Sequence, residues 1–166
     1  MQAADWGVIA AFAVVLVAVY LWLQRPIRTG SKSGTKLARG QIAIDGTNVM
    51  FWRNDQARVS TLKIVLDHLR RAGFESVVFL DASSRHHVGD KSLSEQKFAQ
   101  VLSVPQNRIM VCPARTEADA FLLQYAGAQK LAVVSNDRFR DRPQEARNIR
   151  LVKGHFEGDR LVMTGL

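Results

Sequence analysis

The sequence predicts an α/β fold: a central, mainly parallel sheet covered by helices on both faces, preceded by one transmembrane helix. Three observations predict it. Short β-branched apolar runs stop at an acid, as in Ile42-Ala43-Ile44-Asp45 and Ala132-Val133-Val134-Ser135-Asn136-Asp137, which is how a strand buried on both faces delivers polar side chains to the rim of a sheet. These runs alternate with segments whose apolar residues recur at helical spacing, the pattern of strand-helix-strand units with right-handed crossovers. Ahead of them lies an apolar stretch without formal charge, residues 6–23.

That stretch has the length of a short membrane-spanning helix, which needs about 17–25 apolar residues. Trp6 at one end and Tyr20 and Trp22 at the other stand where interfacial aromatics stand; Asp5 precedes the run, and Arg25, Arg28, Lys32, Lys36 and Arg39 follow it. A buried core helix is the plainer alternative. A cleavable secretory signal fits less well, because it needs cations before the apolar run and small residues after it. The positive-inside rule then places the N-terminus outside and the remainder in the cytoplasm, as in a single-pass protein of the cell membrane. Residues 1–25 form the expected anchor and residues 26–40 a basic flexible linker, whose Gly, Ser, Thr, Lys and Arg composition cannot bury enough surface to order itself. The linker's cations either attract anionic lipid or RNA, or simply stop translocation.

Residues 41–166 have the size of one domain with a single core. Strands are expected at 41–44, 77–80, 108–112, 131–134 and 151–153, each a short apolar run. Residues 61–71 repeat Leu62, Val65, Leu66 and Leu69 at helical spacing and end at Gly73. A second helix is expected over 92–102, with Leu93, Phe98, Val101 and Leu102 inward. A third spans 116–129, with Thr116 as cap and Asp119 in the acid-favouring first turn. A short helix covers 144–148, and 155–163 closes the domain as a hairpin turning at Gly158-Asp159. The single cysteine, Cys112, excludes an internal disulfide and a Cys-rich zinc site; within Ile109-Met110-Val111-Cys112 it reads as a core residue.

The net charge is +8, and Arg85, Arg115, Arg138, Arg140, Arg142, Arg147 and Arg150 keep the domain itself basic, which suits a polyanionic partner. If the first and fourth strands are neighbours, Asp45, Asp119, Asp137 and Asp141 converge on one edge. Clustered carboxylates repel unless a cation sits among them, and an oxygen-only set favours Mg²⁺ or Mn²⁺. Such an ion beside a basic rim points to cleavage of a phosphodiester. Each aspartate also has a structural reading: Asp45-Gly46 as a turn, Asp119 as a helix-dipole partner, Asp137 as a cap and Asp141 as a turn starter. Asn48 either orients a carboxylate or water or caps the next segment.

Asp81 ends the second strand as a peripheral acid or a cap. Arg85, His86 and His87 follow in a polar loop, where Arg85 is a candidate phosphate contact; two adjacent histidines do not share one face, which argues against a His metal site. Arg138 and Arg140 flank Asp137 and are the leading phosphate contacts. Trp52 either stacks on a base or packs in the core.

Three strings, Ile44-Asp45-Gly46-Thr47-Asn48-Val49, Asp119-Ala120-Phe121-Leu122-Leu123 and Val133-Val134-Ser135-Asn136-Asp137-Arg138-Phe139-Arg140-Asp141, together resemble the NYN group of PIN-like ribonucleases. The Zc3h12a-like (Regnase-type) nuclease domain is the nearest likeness. The resemblance runs from residue 41 to about 163, so it covers the domain and none of the anchor. It implies a PIN-like three-layer sandwich, a Mg²⁺ (or Mn²⁺) site and endonuclease activity on single-stranded RNA. Carried over, its metal-site residues fall on Asp45, Asp119, Asp137 and Asp141, with Asn48 as their polar partner in catalysis. Its acidic pair at a helix start falls on Ala118 and Asp119, so one acid is missing; Glu117 lies next to it, about 100° away around a helix. The family's CCCH zinc finger is absent. The expectation is therefore a membrane-anchored, metal-dependent endoribonuclease, with a catalytically inactive, membrane-tethered RNA-binding module as the alternative. Assembly into a homo-oligomer is left open. A phosphoryl-transfer domain fits less well, since an Asp-x-Asp nucleophile motif and a P-loop are both absent.

Overall fold

The computed structural model describes residues 40–113 and 118–166. The expected anchor at 6–23, the linker up to Arg39, Arg115, the Thr116 cap and Glu117 lie outside the described residues. Among those described, no helix is long and apolar enough to cross a membrane.

The chain runs β1 (Gly40–Asp45), α1 (Gly46–Met50), α2 (Val59–Arg71), β2 (Phe74–Leu80), α3 (Ser84–His87), α4 (Glu95–Leu102), a 3₁₀ turn (Gln106–Arg108), β3 (Ile109–Val111), α5 (Ala118–Gln129), β4 (Val133–Val134), α6 (Pro143–Ala146), β5 (Leu151–Glu157) and β6 (Arg160–Thr164). The sheet order is β3-β2-β1-β4-β5-β6. β1 to β5 pair in parallel, and β6 returns antiparallel along β5. From β1 the chain steps outward to β2 and β3, then crosses to the other side of β1 to lay down β4. That reversal makes a crevice beyond the carboxyl ends of β1 and β4, where open α/β sheets hold their ligands.

The central strands are buried on both faces, so they lack polar alternation and read as apolar runs. Successive side chains still point to opposite faces. Ile42 and Ile44, Val78 and Leu80, Ile109, Val134 and Val152 join one buried cluster with Leu62, Val65, Leu66 and Leu69 of α2 and Phe98 and Leu102 of α4. Ala43, Val77, Phe79 and Val133 alternate with them and are equally buried, as are Leu122, Leu123, Tyr125 and Ala126 of α5. The Phe79 and Tyr125 rings meet at 5.4 Å, which puts α5 on the second face. The expected helix-sheet-helix layering is therefore present.

Several expected details differ. β1 and β2 extend further toward their N-termini than their apolar cores. Val101 is 45% exposed rather than inward: α4 starts at Glu95, capped by the Ser94 hydroxyl accepting the Lys97 N–H at 3.3 Å, and in that phase Phe98, Ala99 and Leu102 face the core. The polar loop expected around Arg85, His86 and His87 is the helical turn α3, and the turn expected at Asp45-Gly46 opens α1. Both helices are shorter than any window in which periodicity shows.

α1 lies directly on β2, and Gly46 permits it. A Cβ there would stand 2.7 Å from Leu80 Cδ2 and 2.8 Å from Val78 Cγ1, closer than packed atoms tolerate. Gly46→Ala is expected to destabilise the domain by about 1–3 kcal/mol through overpacking; an unchanged denaturation midpoint would contradict the packing described.

Candidate active site

Asp45 is both the last residue of β1 and the N-cap of α1. One carboxylate oxygen accepts the Asn48 backbone N–H at 3.0 Å and the other accepts the Ser135 hydroxyl at 2.9 Å. Ser135, fully buried just beyond β4, also accepts the Asp137 backbone N–H at 3.0 Å. One hydroxyl thus ties the carboxyl end of β1 to the loop after β4. Asp137 in turn accepts the Phe139 N–H at 2.8 Å, an Asx turn that reverses the chain. Phe139 is fully buried with φ of +49°, a conformation uncommon for a bulky residue and held here by its burial. It anchors a loop whose neighbours Asp137, Arg138, Arg140 and Asp141 all stay exposed.

The electrostatics show what converges. Asp45 is pushed up to about 7, first by burial, against the opposing bonds from Asn48 and Ser135, then by the charges of Asp119 and Asp81. Asp119, in the first turn of α5, is pushed up to about 6 by burial and then by Asp137, Asp81 and Asp141. Asp45, Asp81, Asp119, Asp137 and Asp141 therefore share one field at the β1/β4 edge, and no ion pair among the described residues neutralises any of them. Asp81 belongs to this cluster rather than to its periphery. Its backbone N–H donates to Thr47 Oγ1 at 2.9 Å, and that oxygen lies 2.9 Å from Ser84 Oγ, so α1, β2 and α3 meet beside the acids.

Among the described residues, no three His, Cys, Asp or Glu side chains are arranged as a ready-made metal cage. The donor set nevertheless fits a hard cation: the donors are all carboxylate oxygens, and burial followed by the charges of neighbouring acids raises both Asp45 and Asp119.

The Asn48 side chain acts elsewhere than expected. Its side-chain oxygen accepts both the Trp52 indole N–H at 2.8 Å and the Asn136 backbone N–H at 3.0 Å, so it braces the Asp137 loop instead of touching a carboxylate through its side chain. Asn136 then clamps the Gly154 backbone of β5, donating to its carbonyl at 2.8 Å and accepting its N–H at 3.1 Å. Asn48→Ala leaves two donors without their acceptor and is expected to cost about 1–3 kcal/mol, read as a fall in melting temperature with looser hydrogen-exchange protection at Asn136. Unchanged protection there would count against the brace.

Arg85, Arg138 and Arg140 are exposed around this edge. Trp52 is half-buried against the core. The His87 ring meets Phe51 edge-on at 5.5 Å. Cys112 is buried, its thiol pushed up to about 12 by burial and by Asp81, Asp119 and Asp45, so it is unreactive. Ala118 opens α5. Ser135, Thr47 and Phe139 are the supporting residues that sequence reasoning passed over. The polar Ser135 at the end of an apolar strand was the available signal.

Fold and site together define a class: parallel α/β domains that gather acids at the switch point of their sheet. Residues 38–164 match the model of the Zc3h12a-like Ribonuclease NYN domain, and the chain belongs to that family. Comparison with curated proteins gives no match. Among solved structures, two of the nuclear protein-only RNase P 2 (PRORP2) of Arabidopsis thaliana are similar, each with TM-score 0.60 and 16% identity over 96% and 95% of this chain. The chain spans only 34% of their length, and at that identity the likeness is one of fold.

Proposed function

We propose that this chain is a Mg²⁺- or Mn²⁺-dependent endoribonuclease that cleaves single-stranded RNA, anchored to the cell membrane through residues 6–23 with its nuclease domain in the cytoplasm. The observation that supports it is the acid cluster at the β1/β4 edge of a ribonuclease-family domain, with arginines exposed beside it. Asp45, Asp119, Asp137 and Asp141 are the residues to hold the ion. When bound, a hard divalent ion supplies positive charge to phosphodiester oxygens and makes water a better nucleophile near neutral pH. Ser135 and the Asn48 N–H fix the Asp45 carboxylate, while Asn48 and Asn136 hold the Asp137 loop in place. Arg85, Arg138 and Arg140 seat the phosphate backbone.

Internal cleavage has a direct test. A circular single-stranded RNA, which offers no end, is expected to be linearised in Mg²⁺; circles that persist while linear RNA of the same sequence is degraded would refute endonuclease action. Ala118 motivates a second reading, a catalytically silent RNA-binding module, which gains support if RNA binds tightly and stays intact across Mg²⁺ and Mn²⁺ titrations. The anchor is tested separately: removing residues 1–40 is expected to leave cleavage in solution unchanged while releasing the protein from membranes. Unchanged membrane association would remove the anchor from the proposal.

A further inference from the structure

A cavity of about 230 Å³ that the cleavage chemistry does not use is lined by Trp52, Arg53, Asn54, Phe156, Gly158 and Asp159. Its walls come from the turn after α1 and from the β5-β6 hairpin. Two of them, Trp52 and Phe156, are aromatic and half-buried. The Arg53 guanidinium lies over the Phe156 ring, 5.8 Å from its centre, and its bond to the Asp159 carboxylate keeps it there. Asn54, at the rim, adopts φ of +57°, a left-handed turn that Asn tolerates better than most residues.

The cavity is mechanically joined to the acids. The Trp52 indole N–H donates to the same Asn48 oxygen that accepts the Asn136 N–H, and Asn136 immediately precedes Asp137. The Trp52 ring also rests on Gly154, where any Cβ would overlap it, and Gly154 is the residue that Asn136 clamps from the other side. Hydrogen bonds and packing therefore join Trp52, the Asp137 loop and β5. A group seated against Trp52 is tied through Asn48 to the loop that carries Asp137.

Aromatic faces and an arginine plane, with an amide and a carboxylate at the rim, match the chemistry of an unstacked nucleobase. Rings stack on such surfaces whatever their sequence, and base edges bond to the polar rim. We propose that this cavity is a nucleobase-binding subsite, in which Trp52 and Phe156 receive one base of the single-stranded RNA and fix the register of the strand over Asp137. This rests on the ribonuclease reading and adds a positioning site to it.

Trp52 provides its own probe, because the chain has only three tryptophans. In the full-length chain carrying Trp6→Phe and Trp22→Phe, all tryptophan emission comes from Trp52. Single-stranded RNA is expected to quench that emission saturably, whereas an abasic ribose-phosphate oligomer of equal length, its binding followed by an end label, leaves it unchanged. Phe156→Leu keeps the apolar volume and removes the ring, and is expected to weaken RNA binding by about fivefold or more at unchanged melting temperature; a smaller loss overturns the subsite. Emission that stays constant while RNA is bound and cut, or that the abasic oligomer quenches equally, overturns the subsite and leaves the ribonuclease reading standing. RNA that neither binds nor is cut overturns both.

Discussion

Asp137→Asn is expected to lower cleavage of single-stranded RNA by about three orders of magnitude while leaving the fold intact. On the proposed reading, the size follows from losing one carboxylate of a site where a bound ion would contribute several kcal/mol to the transition state, at about 1.4 kcal/mol per tenfold in rate. The fold survives because Asp137 is exposed and its structural task is to accept the Phe139 N–H, which an asparagine oxygen does equally well. Single-turnover cleavage beside a thermal melt checks both halves. Metal-dependent cleavage within about tenfold of the parent, in a folded variant, would remove Asp137 from the site.

Asp45→Asn is expected to abolish cleavage and also to stabilise the metal-free domain at neutral pH. Burial and neighbouring acids raise Asp45 from 3.8 to about 7, so between those values the folded state holds a proton that the unfolded chain has released. Its contribution to stability is fully present below about pH 4 and is lost as pH rises through about 7. A difference of about three units at about 1.4 kcal/mol each sets the ceiling near 4 kcal/mol. The asparagine keeps the acceptor for the Asn48 N–H, presents a donor toward Ser135 as the protonated acid does, and carries no charge to bury. Urea unfolding in EDTA is therefore expected to show the variant more stable by a few kcal/mol at pH 8 and level with the parent near pH 4. A variant less stable than the parent at pH 8 would contradict the electrostatic description of the cluster.

These two aspartates were legible in the sequence because each ends a β-branched run, and two buried strands ending on acids place those acids on one rim. The adjacency of β1 and β4 that brings them together was a condition the runs left open, and the pairing of Ala43 with Val133 meets it. Helix α2 was legible from its apolar spacing, and the closing hairpin from Gly158-Asp159, where Gly158 takes φ of +61°. What escaped has physical causes. α1 and α3 are single helical turns held by tertiary contacts: Gly46 against β2, and Thr47 against Ser84. Val101 carries the right hydropathy for a core position but the wrong helical phase once Ser94 sets the start of α4.

Within the site, sequence reasoning located the acids but not their scaffolding. Ser135 and Asn48 act through hydrogen bonds to partners 90 and 88 residues away, contacts that no local pattern records. Asp81 looked like one more strand end until β2 was seen beside β1, where its charge reaches Asp45 and Asp119. The mutual repulsion of the five acids is a property of the assembled sheet.

The most direct single measurement is cleavage of an end-labelled single-stranded RNA by the purified chain in Mg²⁺, in Mn²⁺ and in EDTA. Internal cleavage that requires the divalent ion, stops in EDTA and returns when the ion is restored is the expected result. Cleavage that proceeds unchanged in EDTA, or intact RNA under every metal condition with a folded protein, would contradict a metal-dependent nuclease at the β1/β4 edge.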